Sequence, residues 1–255
     1  MPLLASVSGI RGVFGDGLDP AVLVRYASAF GGWLQQHTEA APLVIVGRDG
    51  RDTGDVCARI VTATLQACGC DVIDGGLATT PSVAMGVLKH DADGAVILSA
   101  SHNPAQWNAL KLLAGTSEFL SPDQGAEVLT LADQGPEAFT VSHDRVGSYS
   151  QDDLLPYHIE KILALDLIDP DAIRRRGFRV VVDGINSVGA FALPALLREL
   201  GVESQVPQWE GSKDVVLVHA PGALEQRPAL HEGPDIPVST SPLSFMKPAP
   251  RDLSH

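Results

Sequence analysis

The stretch GAVILSASHNPAQWNALKLL, residues 94–113, decides the fold, because two apolar runs stand on either side of a polar loop. The first run, GAVILSA at 94–100, is short and apolar, which is typical of a buried β-strand. Asn103-Pro104 suffices for a plain turn. The pair also has a purely structural interpretation, in which Asn103 caps a helix and Pro104 is its first residue. Neither interpretation needs the serines, the histidine or the lysine around the pair.

Ser101, His102 and Lys111 are the residues of this stretch that could carry chemistry. Sites in open α/β sheets form at the carboxyl ends of strands, which is where the strand delivers Ser101 and His102. An acyl-transfer serine would need a G-x-S-x-G turn, which is absent, and adjacent Ser and His do not by themselves make a nucleophile–base pair. A third interpretation is a serine that carries phosphate, surrounded by backbone amides, cations and a metal. Lys111 is then a candidate cation or proton shuttle, or else a solvated charge at a strand edge.

Outward from this stretch, segments with strand and helix character alternate along the chain. The pattern predicts helices at 20–37, at 54–68 and after Thr80-Pro81, and strands at 42–47, 71–74 and 94–100. Strands and helices that alternate at such short intervals imply an α/β fold. We therefore expect a mixed or parallel sheet layered with helices.

A second α/β unit is expected after a polar stretch near 134–150. It is predicted to contain helices at 151–165 and 188–200 and strands at 180–182 and 214–218. Two or three strands are too few for a stable sheet domain of this type, so this domain is partial. The remainder holds seven prolines from Pro221 to Pro250 and is predicted to be irregular. The expected segments are a first domain at 1–145, a partial second domain at 146–218 and a proline-rich tail at 219–255.

The composition of the 255 residues excludes several classes of function. A net charge of −13 argues against nucleic-acid binding, which needs a basic surface, and means that an anionic substrate requires a local positive site. No apolar run has the length of a membrane span, and the start lacks the pattern of a signal peptide, so a cytoplasmic protein without membrane contact is expected. The three cysteines do not form a disulfide pattern, and we predict buried or idle thiols at Cys57, Cys68 and Cys70.

Two further loops could supply the local positive site. VSGIRGVFGDG at 7–17 combines closely spaced glycines with Arg11, and such glycines let the backbone approach an anion while an arginine forks onto phosphate oxygens. GRDGRDTG at 47–54 follows a predicted strand and contributes Arg48 and Arg51. Each loop alone is weak evidence, since glycine-rich turns and Arg-Asp pairs are usually structural. Together with the serine loop they favour a phosphate site.

Four segments in this order resemble the α-D-phosphohexomutases, the family of phosphoglucomutase, phosphomannomutase and phosphoglucosamine mutase. They are SGIRG at 8–12, GRDGRDTG at 47–54, SASHNPAQWNALK at 99–111 and VVVDGINSVGAFALPALLRELG at 180–201. The S-H-N-P loop with its following N-x-x-K is the most specific of them. The resemblance covers roughly residues 5–205. It implies a phosphohexomutase domain I followed by part of domain II.

The resemblance implies a phosphotransferase reaction of the isomerase class in carbohydrate metabolism, in which phosphate moves between O1 and O6 of a hexose phosphate. A phosphoserine at Ser101 would carry the phosphate, with Lys111 as general acid/base. It also implies Mg²⁺, bound through the phosphate of Ser101, and a hexose 1,6-bisphosphate as activator. The remaining expected site residues are Arg11 and His102 in catalysis and Ser8, Gly9, Asn103 and Asn108 in binding substrate or phosphate. Arg48 and Arg51 match a loop interpreted as structural rather than catalytic.

The chain departs from the family pattern after about Val206. The Asp-x-Asp-x-Asp-Arg loop that holds Mg²⁺ in the family's second domain is not found, and Asp91 and Asp93 are interpreted as turn residues. We therefore expect a truncated or frameshifted copy of a mutase. The alternative is a catalytically inactive fragment that binds phosphosugar or phosphate. An unrelated serine hydrolase is the third hypothesis.

Overall fold

The computed structural model describes residues 3–6, 9–185, 187–205 and 216–219. Within this part of the chain, strands and helices form two α/β units, each built around its own sheet. Residues 220–255, which make up nearly all of the predicted tail, lie outside the described residues. Among the described helices, none combines the length and apolar character needed to cross a bilayer.

The first unit contains an eight-stranded sheet and five helices. The strands are β1 Leu4–Ser6, β2 Gly9–Phe14, β3 Gly17–Leu18, β4 Leu43–Arg48, β5 Asp71–Leu77, β6 Gly94–Leu98, β7 Trp107–Ala114 and β8 Tyr149–Gln151. The helices are α1 Pro20–His37, α2 Gly54–Ala67, α3 Thr80–His90, α4 Pro122–Leu131 and α5 Leu155–Leu163. The first residues of α1 follow the predicted cap, since the Asp19 carboxylate accepts a hydrogen bond from the backbone N–H of Val22.

The sheet is mixed, as predicted. Its strand order is β1-β2-β7-β6-β4-β5-β8, with β3 beside β2. Strands β6, β4, β5 and β8 run parallel to one another, whereas β7 is antiparallel to both β6 and β2. A strand such as β7 can follow β6 directly, because antiparallel neighbours need only a short connection. The sheet therefore changes from parallel to antiparallel at the loop that carries Ser101.

Side chains alternate between the two faces of the sheet, and in the central strands β4 and β6 both faces are buried. Val44 and Val46 pack with α1, α2 and α4 on one face, and Ile45 packs with α3 on the other. The faces are thus covered by two layers of helices, which gives the sandwich expected for a sheet whose strands read as continuous apolar runs. Leu154, just before α5, completes the second layer.

The second unit is smaller. It comprises helices α6 Pro170–Arg176 and α7 Gly189–Glu199 and strands β9 Arg179–Val182, β10 Glu203–Gln205 and β11 Val216–His219. The sheet order is β10-β9-β11, with β10 parallel and β11 antiparallel to β9. Its described core is a cluster around Val180, Val182 and Val202. The fold is therefore an α/β sandwich followed by a second, smaller α/β unit.

The structure corrects three details of the prediction. No helix follows Asn103-Pro104, because β7 begins at Trp107 and returns at once along β6. Strand β5 continues through Gly75-Gly76 to Leu77 instead of turning there. Residues 149–151 form a strand instead of the first turn of a helix, and α5 begins only at Leu155.

The first sheet extends beyond the domain boundary expected at residue 145. Strand β8 pairs with β5, and Asp152 accepts hydrogen bonds from Lys89 at 2.5 Å and from the ring of His90 at 2.8 Å, both on α3. Leu154 lies in the core between this segment and the sheet. We therefore propose that the first unit continues to Leu163.

Candidate active site

The end of β6 and the start of β7 bring the predicted site residues together. The backbone N–H of Ser99 donates to the carbonyl of Ala109 at 3.2 Å, and Arg11 on β2 lies opposite Ala109 on β7. Lys111 is two residues along β7 from Ala109, so strand alternation places it on the same face. The pairing of three neighbouring strands thus puts Arg11 and Lys111 beside the serine loop.

A cavity of about 480 Å³ lies on this face, within the usual size range of small-molecule sites. Arg11, Ser101, His102 and Lys111 line it together with Ser99. The rest of its wall is formed by Ala100, Ala109, Phe119, Leu120 and Pro122. An exposed serine, a histidine and two cations therefore share one concave surface whose remaining lining is mostly apolar.

Ser101 stands in a backbone conformation that is rare for residues other than glycine. Its φ is 55°, in the left-handed region, and its side chain is exposed. Such a conformation costs about 1–3 kcal/mol and persists only where the surroundings impose it. The hydroxyl of Ser99 is one such support, because it accepts a hydrogen bond from the N–H of Ser101 at 3.2 Å. This role of Ser99 was not predicted from the sequence, although a serine two residues before another is a known turn-forming signal.

Lys111 is poised to exchange a proton more readily than an ordinary lysine. Desolvation lowers the pKa of its ammonium group, and the positive charges of Arg11 and Arg51 lower it further, while Asp49 opposes them. A lysine with a lowered pKa has a larger neutral fraction at physiological pH. The group can therefore act both as a cation toward an anion and as a general acid or base.

Three of the four expected binding residues are described by the structure, and their surroundings differ. Ser8 lies outside the described residues. Gly9 has a φ of 122°, and a Cβ there would lie 2.7 Å from the carbonyl oxygen of Leu110, so it allows β2 to approach β7. Asn103 lines a second cavity, of about 740 Å³, on the side of the loop that faces the second unit.

Asn108 does not face either cavity. Its side chain is fully buried, its amide NH₂ donates to the hydroxyl of Thr53 at 3.1 Å, and its side-chain oxygen accepts from the N–H of Ala109 at 2.8 Å. The residue precedes Ala109 on β7, so strand alternation directs its side chain to the opposite face of the sheet. The structure thus gives Asn108 a role in joining β7 to the start of α2, and its expected part in binding substrate stays a prediction.

The two arginines of the 47–54 loop have different environments. Arg48 lies beside the carboxylate of Asp55 at 3.8 Å, away from the serine loop. Arg51 lies under the serine loop and donates hydrogen bonds to its backbone carbonyls, in agreement with the prediction of a structural role. The sequence could not show which carbonyls it contacts, because they come from another strand connection.

Residues 3–138 match the family model described as phosphoglucomutase/phosphomannomutase, alpha/beta/alpha domain I. The chain belongs to this phosphohexomutase family. Members of the family are phosphomutases, enzymes of the isomerase class, which confirms the recognition and the enzyme class predicted from the motifs.

Individual phosphohexomutase relatives cover both units. A phosphoglucomutase/phosphomannomutase of Thermococcus kodakarensis is 34% identical over 79% of this chain and 43% of its own length. A probable phosphoglucosamine mutase of Methanopyrus kandleri is 36% identical over 77% of this chain and 41% of its own length. The crystal structure of a putative phosphomannomutase from Thermus thermophilus superimposes with a TM-score of 0.70 at 26% identity, over 83% of this chain and 47% of that one.

The chain therefore spans less than half the length of the phosphohexomutase relatives it matches. The activity and substrates of those longer proteins are proposals when applied to it.

The described residues of this chain do not fit a protein-held Mg²⁺ site. Within them, no three His, Cys, Asp or Glu side chains cluster as metal ligands. Asp91 caps α3 in a left-handed conformation, and Asp93 accepts a hydrogen bond from the N–H of Leu43 at 2.8 Å, so both are turn residues, as predicted. The three thiols are buried, and burial raises the pKa of Cys57 and Cys68 to about 11 and that of Cys70 to about 12.

Proposed function

We propose that this chain carries the phosphoryl-accepting serine of a phosphohexomutase and that Ser101 is that serine. The observation that carries the proposal is the shared cavity of Ser101, Arg11 and Lys111. A phosphoserine holds about −1.5 to −2 charges and needs cations nearby. In a chain with a net charge of −13, two cations in one cavity form the local positive site that such an anion requires.

The proposed reaction moves phosphate between O1 and O6 of a hexose phosphate in two transfers. In the first, the bond from phosphorus to Ser101 Oγ breaks, a bond to the free sugar hydroxyl forms, and the hydroxyl proton leaves. In the second, the other phosphate of the resulting bisphosphate passes to Ser101 Oγ, and its sugar oxygen takes up a proton. Phosphoryl transfer of this kind depends mainly on positioning and on neutralising charge.

Lys111 is the proposed proton carrier for both transfers. It lies on the cavity wall, and its lowered pKa provides a neutral amine for the first step and an ammonium for the second. Arg11 is proposed to hold phosphate oxygens, since a guanidinium can bind them with two parallel hydrogen bonds. His102 and Asn103 are proposed to shape the serine loop, His102 where the loop lines the first cavity and Asn103 where it lines the second.

Mg²⁺ and a hexose 1,6-bisphosphate activator stay predictions from the family. Because the described residues do not fit a metal site, no step is assigned to Mg²⁺. A bisphosphate is a suitable phosphoryl donor to Ser101, because it is the intermediate of the proposed reaction. The proposed substrates are the phosphates of glucose, mannose and glucosamine, as a class.

The test is transfer of phosphate from α-glucose 1,6-bisphosphate to the purified chain. After incubation, intact-mass analysis is expected to show the addition of one phosphoryl group, and peptide mapping is expected to place it on Ser101. Ser101→Ala removes the acceptor oxygen and is expected to abolish the addition. Lys111→Met is expected to slow it by about 10²–10⁴-fold, the usual contribution of general acid–base catalysis.

Two other results would point elsewhere. Binding of the bisphosphate to the chain, measured by calorimetry, without any transfer to Ser101 would favour the inactive phosphate-binding fragment. Labelling of Ser101 by a fluorophosphonate without phosphoryl transfer would favour a serine hydrolase.

A further inference from the structure

Arg51 makes an unusually complete set of contacts with the serine loop. Its Nη1 donates to the carbonyls of Pro104 at 2.7 Å and Trp107 at 2.9 Å, and its Nη2 donates to the carbonyls of Ser101 and Asn103, both at 2.8 Å. Its Nε donates to Asp49 Oδ2 at 3.1 Å. A guanidinium has five N–H donors, so all five are engaged by the protein.

These contacts distinguish Arg51 from Arg11, the arginine that lines the cavity. The side chain of Arg51 is only 11% exposed, and Arg51 does not line the cavity that Ser101 shares with Arg11. Arg51 and Ser101 both line the second cavity, but there the N–H groups of Arg51 are already bonded to the serine loop. Because its donors are engaged, it cannot fork onto a substrate phosphate without releasing the loop. Its effect on the reaction must therefore act through the backbone that it holds.

The carbonyls that it holds span the whole loop from Ser101 to Trp107. Ser101 is in a strained left-handed conformation, and its own carbonyl is one of the four. The base of the loop is further fixed because the N–H of Asp49 donates to the carbonyl of Leu98, the last residue of β6, at 3.0 Å. Apart from the hydrogen bond that Ser99 accepts from Ser101, the described side-chain hydrogen bonds to this strained backbone all come from Arg51.

We propose that Arg51 is a positioning residue for phosphoryl transfer: it clamps the 101–107 backbone so that Ser101 Oγ faces Arg11 and Lys111. This inference rests on the proposed function of Ser101. The clamp requires arginine, because a lysine offers three donors on one nitrogen and cannot reach separated carbonyls with a planar fork. A misplacement of about 1 Å at a reacting group can cost about 10²-fold in rate.

The test compares Arg51→Lys with Arg48→Lys in the full chain. Both changes keep the charge, and Arg48 ends β4 just before the same loop, with its side chain against Asp55 and the carbonyl of Asp49 instead of the serine loop. The rate of phosphate uptake by Ser101 from α-glucose 1,6-bisphosphate is measured across donor concentrations. Arg51→Lys is expected to lower the saturating rate by about 10²-fold and to change the half-saturating concentration by less than about threefold. Arg48→Lys is expected to leave both within about twofold of the parent.

Hydrogen exchange reports on the clamp independently of activity. The N–H groups of Asn103 and Trp107 bond within the loop, to Ala100 and Pro104, and are expected to exchange at least about tenfold faster in Arg51→Lys. Amides in the interior of the sheet, such as that of Val96 on β6, are expected to keep their protection. Arg51→Ala with added methylguanidinium is expected to recover part of the uptake rate, which a chain that had lost its fold would not do.

The outcomes are distinguishable. An Arg51→Lys variant with the parent's uptake rate and the parent's loop protection would overturn the inference, and so would an equal loss of rate in Arg48→Lys. If the parent chain takes up no phosphate, the proposed function fails, and loop exchange then decides whether Arg51 holds the loop.

Discussion

Two loops of this molecule follow buried strands and hold a residue other than glycine at positive φ, yet they are held in different ways. The serine loop after β6 has Ser101 at 55°, and the loop after β9 has Ile185 at 44°. The first is supported by hydrogen bonds from the buried Arg51 to its carbonyls. In the second, Gly184 packs so closely on the start of α7 that a Cβ would overlap the backbone of Ala190.

The difference suggests what each loop is built for. Support from below, by a side chain, leaves the upper surface of the serine loop open to the cavity. Close backbone packing leaves the second loop compact, with the N–H of Ser187 donating to the carbonyl of Gly184 at 2.7 Å. Residues of both loops line the second cavity, and there the N–H of Gly50, in the neighbouring 47–54 loop, donates to Ser187 Oγ at 3.0 Å. Single substitutions can therefore perturb one loop while leaving the other intact.

The largest effect on the free energy of unfolding is expected from Gly184→Ala. The added methyl would collide with the backbone of Ala190, and overpacking against backbone costs about 1–3 kcal/mol or more. The free energy of unfolding of the second unit is expected to fall by about 3 kcal/mol, which hydrogen exchange of the β9 amides would measure. Gly189→Ala is the matched control, because a Cβ there would only touch Gly184 at 3.5 Å. Equal losses in both variants would contradict the close-packing account.

Replacing the strained residues by glycine is expected to stabilise the two loops unequally. A β-branched residue is the least suited to positive φ, so Ile185→Gly is expected to raise the free energy of unfolding by about 1 kcal/mol, net of the added chain entropy. Ser101→Gly is expected to raise it by about half as much. Urea denaturation of both variants would measure the difference. A loss of stability in Ile185→Gly would mean that its side chain, 42% exposed, contributes more than its backbone costs.

Breaking the contact between the 47–54 loop and the loop after β9 is expected to have a smaller, local effect on stability. Ser187→Ala removes the acceptor for the Gly50 N–H, and a hydrogen bond of this kind contributes about 1 kcal/mol. Exchange of the Gly50 amide is expected to accelerate about fivefold. The Asp49 amide, which donates to Leu98 at 3.0 Å within the first unit, serves as the internal reference. Equal acceleration at both amides would indicate general loosening instead of a lost contact.

The smallest effect on the free energy of unfolding is expected from Lys111→Met, and this effect depends on pH. Desolvation lowers the pKa of Lys111 below its ordinary 10.5, so the protonated lysine is disfavoured in the folded chain relative to the unfolded one. This cost is fully present below the folded pKa and disappears as the pH rises through 10.5. Lys111→Met is therefore expected to be slightly more stable than the parent at neutral pH, with the gain shrinking toward pH 10.5 in thermal melts.

Lys161→Met is the control for that prediction. It removes one positive charge from the same acidic chain at a half-exposed position on α5. Subtracting its effect removes the general contribution of net charge. A stability gain in Lys111→Met that grew with pH would contradict the expected sign.

The sequence predicted the parts of the fold that depend on local pattern. The strands at Val44–Val46 and Val96–Leu98 are apolar and short, and both are central strands of the sheet. Strand β8 was missed because its residues, Tyr149–Gln151, are exposed at the sheet edge and have no apolar pattern. Its pairing with β5 depends on contacts between residues far apart in sequence, which periodicity does not report.

In the candidate site, too, the features that depend on local sequence could be predicted, and those that depend on distant contacts could not. The loops that carry Arg11, Ser101 and Lys111 could be found from their residue types, and the structure brings these side chains to one cavity. Asn108 and Lys111 both lie on β7, three residues apart, so their side chains face opposite sides of the sheet. No strand was predicted for these residues from the sequence, so the two faces were not separated. The partners of Arg51 belong to a different strand connection, so no local rule could identify them.

The central position of β7 has a consequence for how the site is made. Arg11 reaches its place only because β2, near the start of the chain, pairs with β7, which is synthesised much later. Contacts between such distant segments form slowly, since a long loop must close before they gain any stability. During synthesis, the serine loop and Lys111 can assemble as a hairpin before the arginine arrives. Pairing of β2 with β7 would then complete the anion site. A chain that accepts phosphate would therefore be one whose first sheet has finished folding.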